Sequence, residues 1–154
     1  MKIRYSNNEE ETINIGFELG LLLKRENVVI LLDGELGAGK TMFTKGLAKG
    51  LGIEQIVNSP TFTIMKKYKS KDRHNILYHL DLYRLSEEGN DFDLEEYITG
   101  QGMIVIEWPF NVKSILPKDY LLVEIKKLSE TKREFILSCV GYPCKRAVEV
   151  IWEH

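Results

Sequence analysis

The hydrophobic positions of this chain change period several times. "EEETINIGFELGLLLKR" spaces Ile13, Phe17 and Leu21 four apart, with Leu19, Leu22 and Leu23 widening the stripe. That spacing predicts an amphipathic helix, interrupted by Gly16 and Gly20. "NVVILLD" is a continuous apolar run of strand length, as expected for a strand buried on both faces. A second helix is predicted from about Thr41 to Leu51, with Phe43, Leu47 and Leu51 on one side and Gly52 as its C-cap. "TFTIMKKY" and "NILYHLD", joined by "KSKDR", read as a hairpin. "GMIVIEWP" reads as another apolar strand, and "YLLVEIKKL" with "REFILSCV" as a second hairpin across "SETK". "SEEGNDFDLEEYI" suggests a short helix, and "PCKRAVEVIWEH" a closing one, since Pro143 suits a first turn. Helices alternating with buried strands predict an α/β sandwich around a mixed sheet, with residues 1–154 forming one domain.

Between the first apolar strand and the second helix lies "GELGAGKT", Gly34 to Thr41, which fits G-x-x-x-x-G-K-[ST] at every fixed position. At ordinary residue usage, chance gives fewer than about one such match per hundred chains of this size. The missing side chains at Gly34, Gly37 and Gly39 let the backbone wrap a phosphate and turn its N–H groups inward. The following helix adds uncapped N–H groups and the positive end of its dipole. Lys40 supplies a point charge for the β/γ-phosphates, and the Thr41 hydroxyl suits Mg²⁺. A nucleoside triphosphate is the expected ligand, held along Glu35, Leu36, Gly37, Ala38, Gly39, Lys40 and Thr41.

Such a loop needs an acid from a neighbouring strand to hold the metal or its waters. "ILYHLD" ends in Asp81 and "MIVIE" in Glu107; spacing alone does not rank them. His79, alone beside such a site, reads as a structural hydrogen-bonding residue rather than a metal ligand. "NSPTFT", Asn58 to Thr63, occupies the position where nucleotide switches carry a γ-phosphate sensor. It equally suits a Ser-Pro turn that starts a strand, since Pro60 biases Ser59 to extended geometry.

Composition narrows the partners. With 21 basic and 23 acidic residues the net charge is −2, so no global field draws in nucleic acid. The basic stretch "KKYKSKDR" reads either as a solvated turn or as a contact for RNA or a protein partner. No apolar run approaches the ~20 residues of a membrane span, and no secretory signal is evident, so the expected location is cytoplasmic. Cys139 and Cys144 lack a zinc-site spacing and read as two reduced thiols.

Taken in order, "GELGAGKT", "SPTFT", "HLDLYRL", "LEEYI" and "IEWP" make the chain resemble the TsaE (YjeE) family, the ATPase subunit of bacterial tRNA threonylcarbamoyladenosine synthesis. The resemblance runs from about Thr12 to the second hairpin. It implies a P-loop NTPase sandwich with a mixed central sheet flanked by helices. It also implies an ATP- and Mg²⁺-dependent hydrolase that is weak alone and works with TsaD-like and TsaB-like proteins, meeting tRNA only indirectly. By motif, Thr41 and Glu107 correspond to the magnesium ligands. Asp81 corresponds to the acid that helps position water or the metal's hydration shell. Lys40, Asp81 and Thr61 are the implied catalytic set, Ser59, Pro60 and Thr61 the implied switch, and Trp108 the partner of Glu107 in a Glu-Trp pair. Arg133 sits where the family has an arginine that reaches the nucleotide. Tyr83 and Arg84 gain a motif but no individual role. The same loop also serves small-molecule kinases, the main alternative. A GTP-dependent switch would need an N-K-x-D sequence, which the chain lacks.

Overall fold

The computed structural model describes residues 1–60, 63–86, 101–141 and 148–149. The elements run β1 (Lys2–Ser6), α1 (Glu9–Leu22), β2 (Val29–Asp33), α2 (Lys40–Gly50), β3 (Met65–Lys69), β4 (Ile76–Asp81), β5 (Met103–Glu107), β6 (Tyr120–Lys127) and β7 (Arg133–Val140). The strands form one seven-stranded sheet in the order β1-β7-β6-β2-β5-β4-β3. The central β6, β2, β5 and β4 are parallel, while β1, β7 and β3 join antiparallel at the two sides. The fold is thus a mixed α/β sheet, as expected.

Alternation along β2 explains why its sequence is apolar throughout. Ile30 and Leu32 enter the core under α1 and α2, whereas Leu31 enters a second core with Tyr78, Leu80 and Ile106. The second core is closed by two short 3₁₀ turns, Pro109–Asn111 and Lys113–Ile115, with Val112 fully buried between them. Helices α1 and α2 therefore lie on one face of the sheet, and the 3₁₀ turns on the other.

The two helices meet through glycines, and of the expected apolar stripe Leu19 and Leu23 are buried in the core. The buried positions of α1 are Thr12, Ile15, Gly16, Leu19 and Gly20, while Leu21 and Leu22 are exposed. A methyl group at Gly16 would lie 2.2 Å from the Phe43 carbonyl oxygen, and one at Gly46 only 1.9 Å from that of Ile13. Gly20 and Gly50 approach each other's helices in the same way. Glycine's low helix propensity is offset here by a backbone-to-backbone contact that no larger residue permits. The C-terminus of α2 follows its prediction: Gly52 adopts φ 82°, and the amides of Gly52 and Ile53 donate to the carbonyls of Lys49 and Ala48, a Schellman cap.

β1 is absent from the sequence reading. Its Ile3 and Tyr5 are half exposed while Ser6 is buried, the inverse of a core-facing pattern. Cys139 is disulfide-bonded, which corrects the expectation of a reduced thiol there, and Cys144 lies outside the described residues. The helix predicted in "SEEGNDFDLEEYI" and nearly all of the predicted tail helix lie outside the described residues. No described helix is long and apolar enough to cross a membrane.

Candidate functional site

The site lies at the carboxyl ends of β2, β4 and β5, where parallel strands deliver their last side chains to one edge. A pocket of about 870 Å³ opens there, lined by Leu36 to Met42, Ser59, Asp81, Tyr83, Glu107, Trp108 and Arg133. Most of the sequence-predicted residues that can be described therefore converge. Glu35, on the exposed outer side of the loop, is not among the lining residues, and its carbonyl accepts the Ala38 amide at 3.1 Å. Thr61 lies outside the described residues.

The loop from Gly34 to Gly39 owes its shape to two left-handed residues, Gly37 at φ 78° and Gly39 at φ 107°. No described atom lies within 4 Å of where a Cβ at Gly37 would be, so the glycine answers the backbone's turn. Gly39 is the N-cap of α2; no side chain among the described residues caps that helix, and its first turn carries no acid. Its first-turn donors thus face the pocket with the positive end of the helix dipole, an arrangement suited to an anion. α1 differs, because Asn8 accepts the Glu11 amide and three glutamates occupy its first turn.

Lys40 is buried, its Nζ donating to the Gly34 carbonyl at 2.5 Å and lying 3.6 Å from the centre of the Trp108 ring. Burial lowers the affinity of its amine for a proton, and the carboxylates of Glu107, Asp81 and Asp33 partly oppose that. Trp108 adopts φ 55°, unusual for an aromatic residue, and its ring rests against Tyr83 with centroids 5.0 Å apart. Asn111 donates to the carbonyls of Leu82 and Tyr83, tying this turn to the end of β4.

The two acids are neighbours in the sheet, Asp81 pairing with Glu107 across β4 and β5. Their surroundings differ. Glu107 is buried and its Oε2 is engaged by Nε2 of the fully buried His79. Asp81 is only partly buried, and its Oδ1 accepts the Tyr83 amide at 2.9 Å. Burial raises the Asp81 pKa, the Tyr83 amide opposes it, and Glu107 adds to it. On α2, Thr41 shares a 2.7 Å hydrogen bond with the Ser59 hydroxyl, so the helix start is linked to the following Ser-Pro segment. Pro60 borders a smaller cavity with Asp81, Tyr83, Arg84 and Leu85.

These groups can hold a divalent cation only with outside help. Thr41, Asp81 and Glu107 offer hard oxygen ligands, but the described residues contain no group of three or more His, Cys, Asp or Glu side chains placed to hold a metal ion. That donor set fits magnesium, which usually takes one or two protein carboxylates and completes its shell with phosphates and waters.

Arg133 lines the pocket but is committed elsewhere. Its Nε donates to the Ala38 carbonyl at 2.9 Å and Nη2 to that of Gly37 at 3.1 Å. Nη1 reaches the Ser129 carbonyl at 2.8 Å in the β6–β7 turn. The guanidinium thus grips two consecutive carbonyls of the glycine-rich loop and ties the loop to the β6–β7 turn. The sequence reading also misses Asn8, Glu9, Glu10 and Thr12 at the start of α1, and Glu130 and Thr131 of the β6–β7 turn, which close the pocket's far side. Only the Asn-Asn-Glu-Glu-Glu helix start signals any of them.

The model of the family described as threonylcarbamoyl adenosine biosynthesis protein TsaE matches residues 6–135. The tRNA threonylcarbamoyladenosine biosynthesis protein TsaE of Bacillus subtilis is 43% identical over 147 residues, covering 96% of this chain and 91% of its own. That of Treponema pallidum is 39% identical over 135 residues, covering 86% and 97%. The crystal structure of Bacillus subtilis YdiB superposes with a TM-score of 0.74 at 38% identity, covering 91% of this chain and 86% of its own. The chain therefore belongs to the TsaE family, whose members take part in tRNA threonylcarbamoyladenosine biosynthesis.

Proposed function

We propose that this protein binds and hydrolyses ATP with Mg²⁺, and that the hydrolysis supports threonylcarbamoyladenosine formation on tRNA through a protein assembly. The observation that carries the reading is the left-handed glycine loop feeding an uncapped helix, with Lys40, Thr41, Asp81 and Glu107 around one pocket. The loop amides and Lys40 bind the phosphates. Thr41 and Glu107 would hold the metal, which would supply neutralisation of phosphate charge. Asp81, half-buried and with a raised pKa, orients the attacking water or the metal's hydration shell. Ser59, bonded to Thr41, carries the state of the metal site into the Ser59–Pro60–Thr61 segment. Lys40 Nζ is positioned by the Gly34 carbonyl and the Trp108 ring, and its remaining N–H groups are available to phosphate.

Hydrolysis is expected to be slow for the isolated chain and to rise with TsaD-like and TsaB-like partners, in the cytoplasm. A small-molecule kinase reading has no observation in its favour among the described residues. Phosphate release from Mg-ATP tests the proposal: wild type should turn over, and Lys40→Ala should not. Equal release from both would refute it.

A further inference from the structure

His79 has no part in the chemistry above, yet it is a fully buried polar residue beside the site. It is 0% exposed, its Nε2 contacts Glu107 Oε2, and its Nδ1 has no hydrogen-bond partner among the described residues. An unpaired buried ring nitrogen costs free energy, so leucine-like packing would serve the core better than histidine does. What the ring does provide is a donor aimed at one oxygen of one carboxylate.

The sheet register fixes that geometry. His79 and Asp81 lie two apart on β4 and so project to the same face, and Asp81 pairs directly with Glu107 on the parallel neighbour β5. The hydrogen bond between His79 Nε2 and Glu107 Oε2 fixes the rotation of the carboxylate and engages one of its two oxygens. No described group hydrogen-bonds to Glu107 Oε1. Asp81 repeats the pattern, with Oδ1 taken by the Tyr83 amide. Each acid thus presents a single uncommitted oxygen to the pocket.

That arrangement has a chemical consequence. Magnesium prefers a small octahedral shell in which carboxylates bind through one oxygen, while calcium accepts two oxygens from one carboxylate at longer distances. We propose that His79 is a positioning residue that holds Glu107 to one-oxygen coordination and thereby sets the site's preference for magnesium over calcium. The assignment rests on the metal-dependent reading given above. His79 itself is no ligand, since its one engaged nitrogen is turned to Glu107 and the ring is sealed from the pocket.

The test is calorimetric titration of the full-length chain with ATP in the presence of Mg²⁺ or Ca²⁺, for wild type, His79→Gln and His79→Leu. Glutamine can place an amide N–H near the Nε2 position, while leucine keeps the volume and removes the donor. His79→Leu should lose about ten-fold in Mg²⁺-supported ATP affinity, the low end for removing a group that orients a metal ligand. Its Ca²⁺-supported affinity should fall much less, so that the Mg²⁺/Ca²⁺ ratio shifts toward calcium. His79→Gln should restore most of both the affinity and the ratio. Wild-type values in His79→Leu would overturn the assignment, as would equal losses with both ions in both variants alongside a lower melting temperature, which mark a packing role. ATP that fails to bind wild type with either ion would instead overturn the proposed function, and this assignment with it.

Discussion

Replacing Arg133 by alanine should loosen the glycine-rich loop before any nucleotide arrives. Two of the guanidinium donations go to loop carbonyls, at 2.9 Å to Ala38 and 3.1 Å to Gly37. A hydrogen bond from a charged donor contributes about 1.5–3 kcal/mol net. Ala38 is buried and its carbonyl loses its partner outright, whereas Gly37 is exposed and water can replace the donor there. The loss is therefore close to one such bond, about 1.5–2 kcal/mol of loop ordering that binding must then supply. That corresponds to roughly a ten- to thirty-fold weaker Kd for ATP. Arg133→Lys keeps the charge but cannot span both carbonyls, and should fall between. Fluorescent-nucleotide titration measures the affinity, and amide hydrogen exchange of residues 37–39 in the nucleotide-free protein separates a clamp from a direct ligand. A clamp requires faster exchange in Arg133→Ala with no nucleotide present. Unchanged exchange with weakened binding would mean that Arg133 contacts the nucleotide itself, as the family resemblance implies. Unchanged affinity would refute both roles.

Two further outcomes follow from packing and charge. Gly46→Ala places a methyl 1.9 Å from the Ile13 carbonyl oxygen, so the helices must separate; overpacking of this kind costs about 1–3 kcal/mol, only partly offset by helix propensity. A thermal melt should show a fall of roughly 4–8 °C for about 2 kcal/mol in a chain of this size, and a rise would contradict the interhelical contact. Asp81 has its pKa raised mainly by burial, so the folded state penalises the charged form at neutral and alkaline pH, and protonation relieves the penalty as pH falls through the folded pKa. Asp81→Asn should therefore be more stable than wild type at pH 8, with the advantage shrinking in acid, while hydrolysis drops. Denaturant melts at pH 8 and pH 5 check this; a variant less stable at pH 8 would reverse the sign.

Much of this layout can be read in the sequence where local pattern and tertiary role agree. "NVVILLD" and "GMIVIE" are apolar at every strand-interior position because Ile30, Leu32 and Val105 enter one core while Leu31 and Ile106 enter the other. The glycine loop is legible because each fixed residue answers a local demand of backbone or charge. Periodicity misleads at α1, where Gly16 and Gly20 belong to the buried face and Leu21 and Leu22 face solvent, since a glycine contact carries no hydrophobic signal. β1 escapes detection because an edge strand with Ile3 and Tyr5 outward inverts the usual alternation. Motif places Arg133 near the nucleotide, but its carbonyl partners Gly37 and Ala38 lie about a hundred positions away and emerge only from the register of β6 and β7. His79 reads as a structural hydrogen bonder, but its partner depends on the pairing of β4 with β5.

The central claim is that ATP handling by this loop drives the modification rather than accompanying it. Reconstituted threonylcarbamoyladenosine formation on tRNA, run to multiple turnovers with the partner proteins, measures it most directly. Wild-type chain should sustain turnover, and Lys40→Ala, folded and present at the same concentration, should leave product no higher than when the chain is omitted. Sustained turnover with Lys40→Ala would contradict the account.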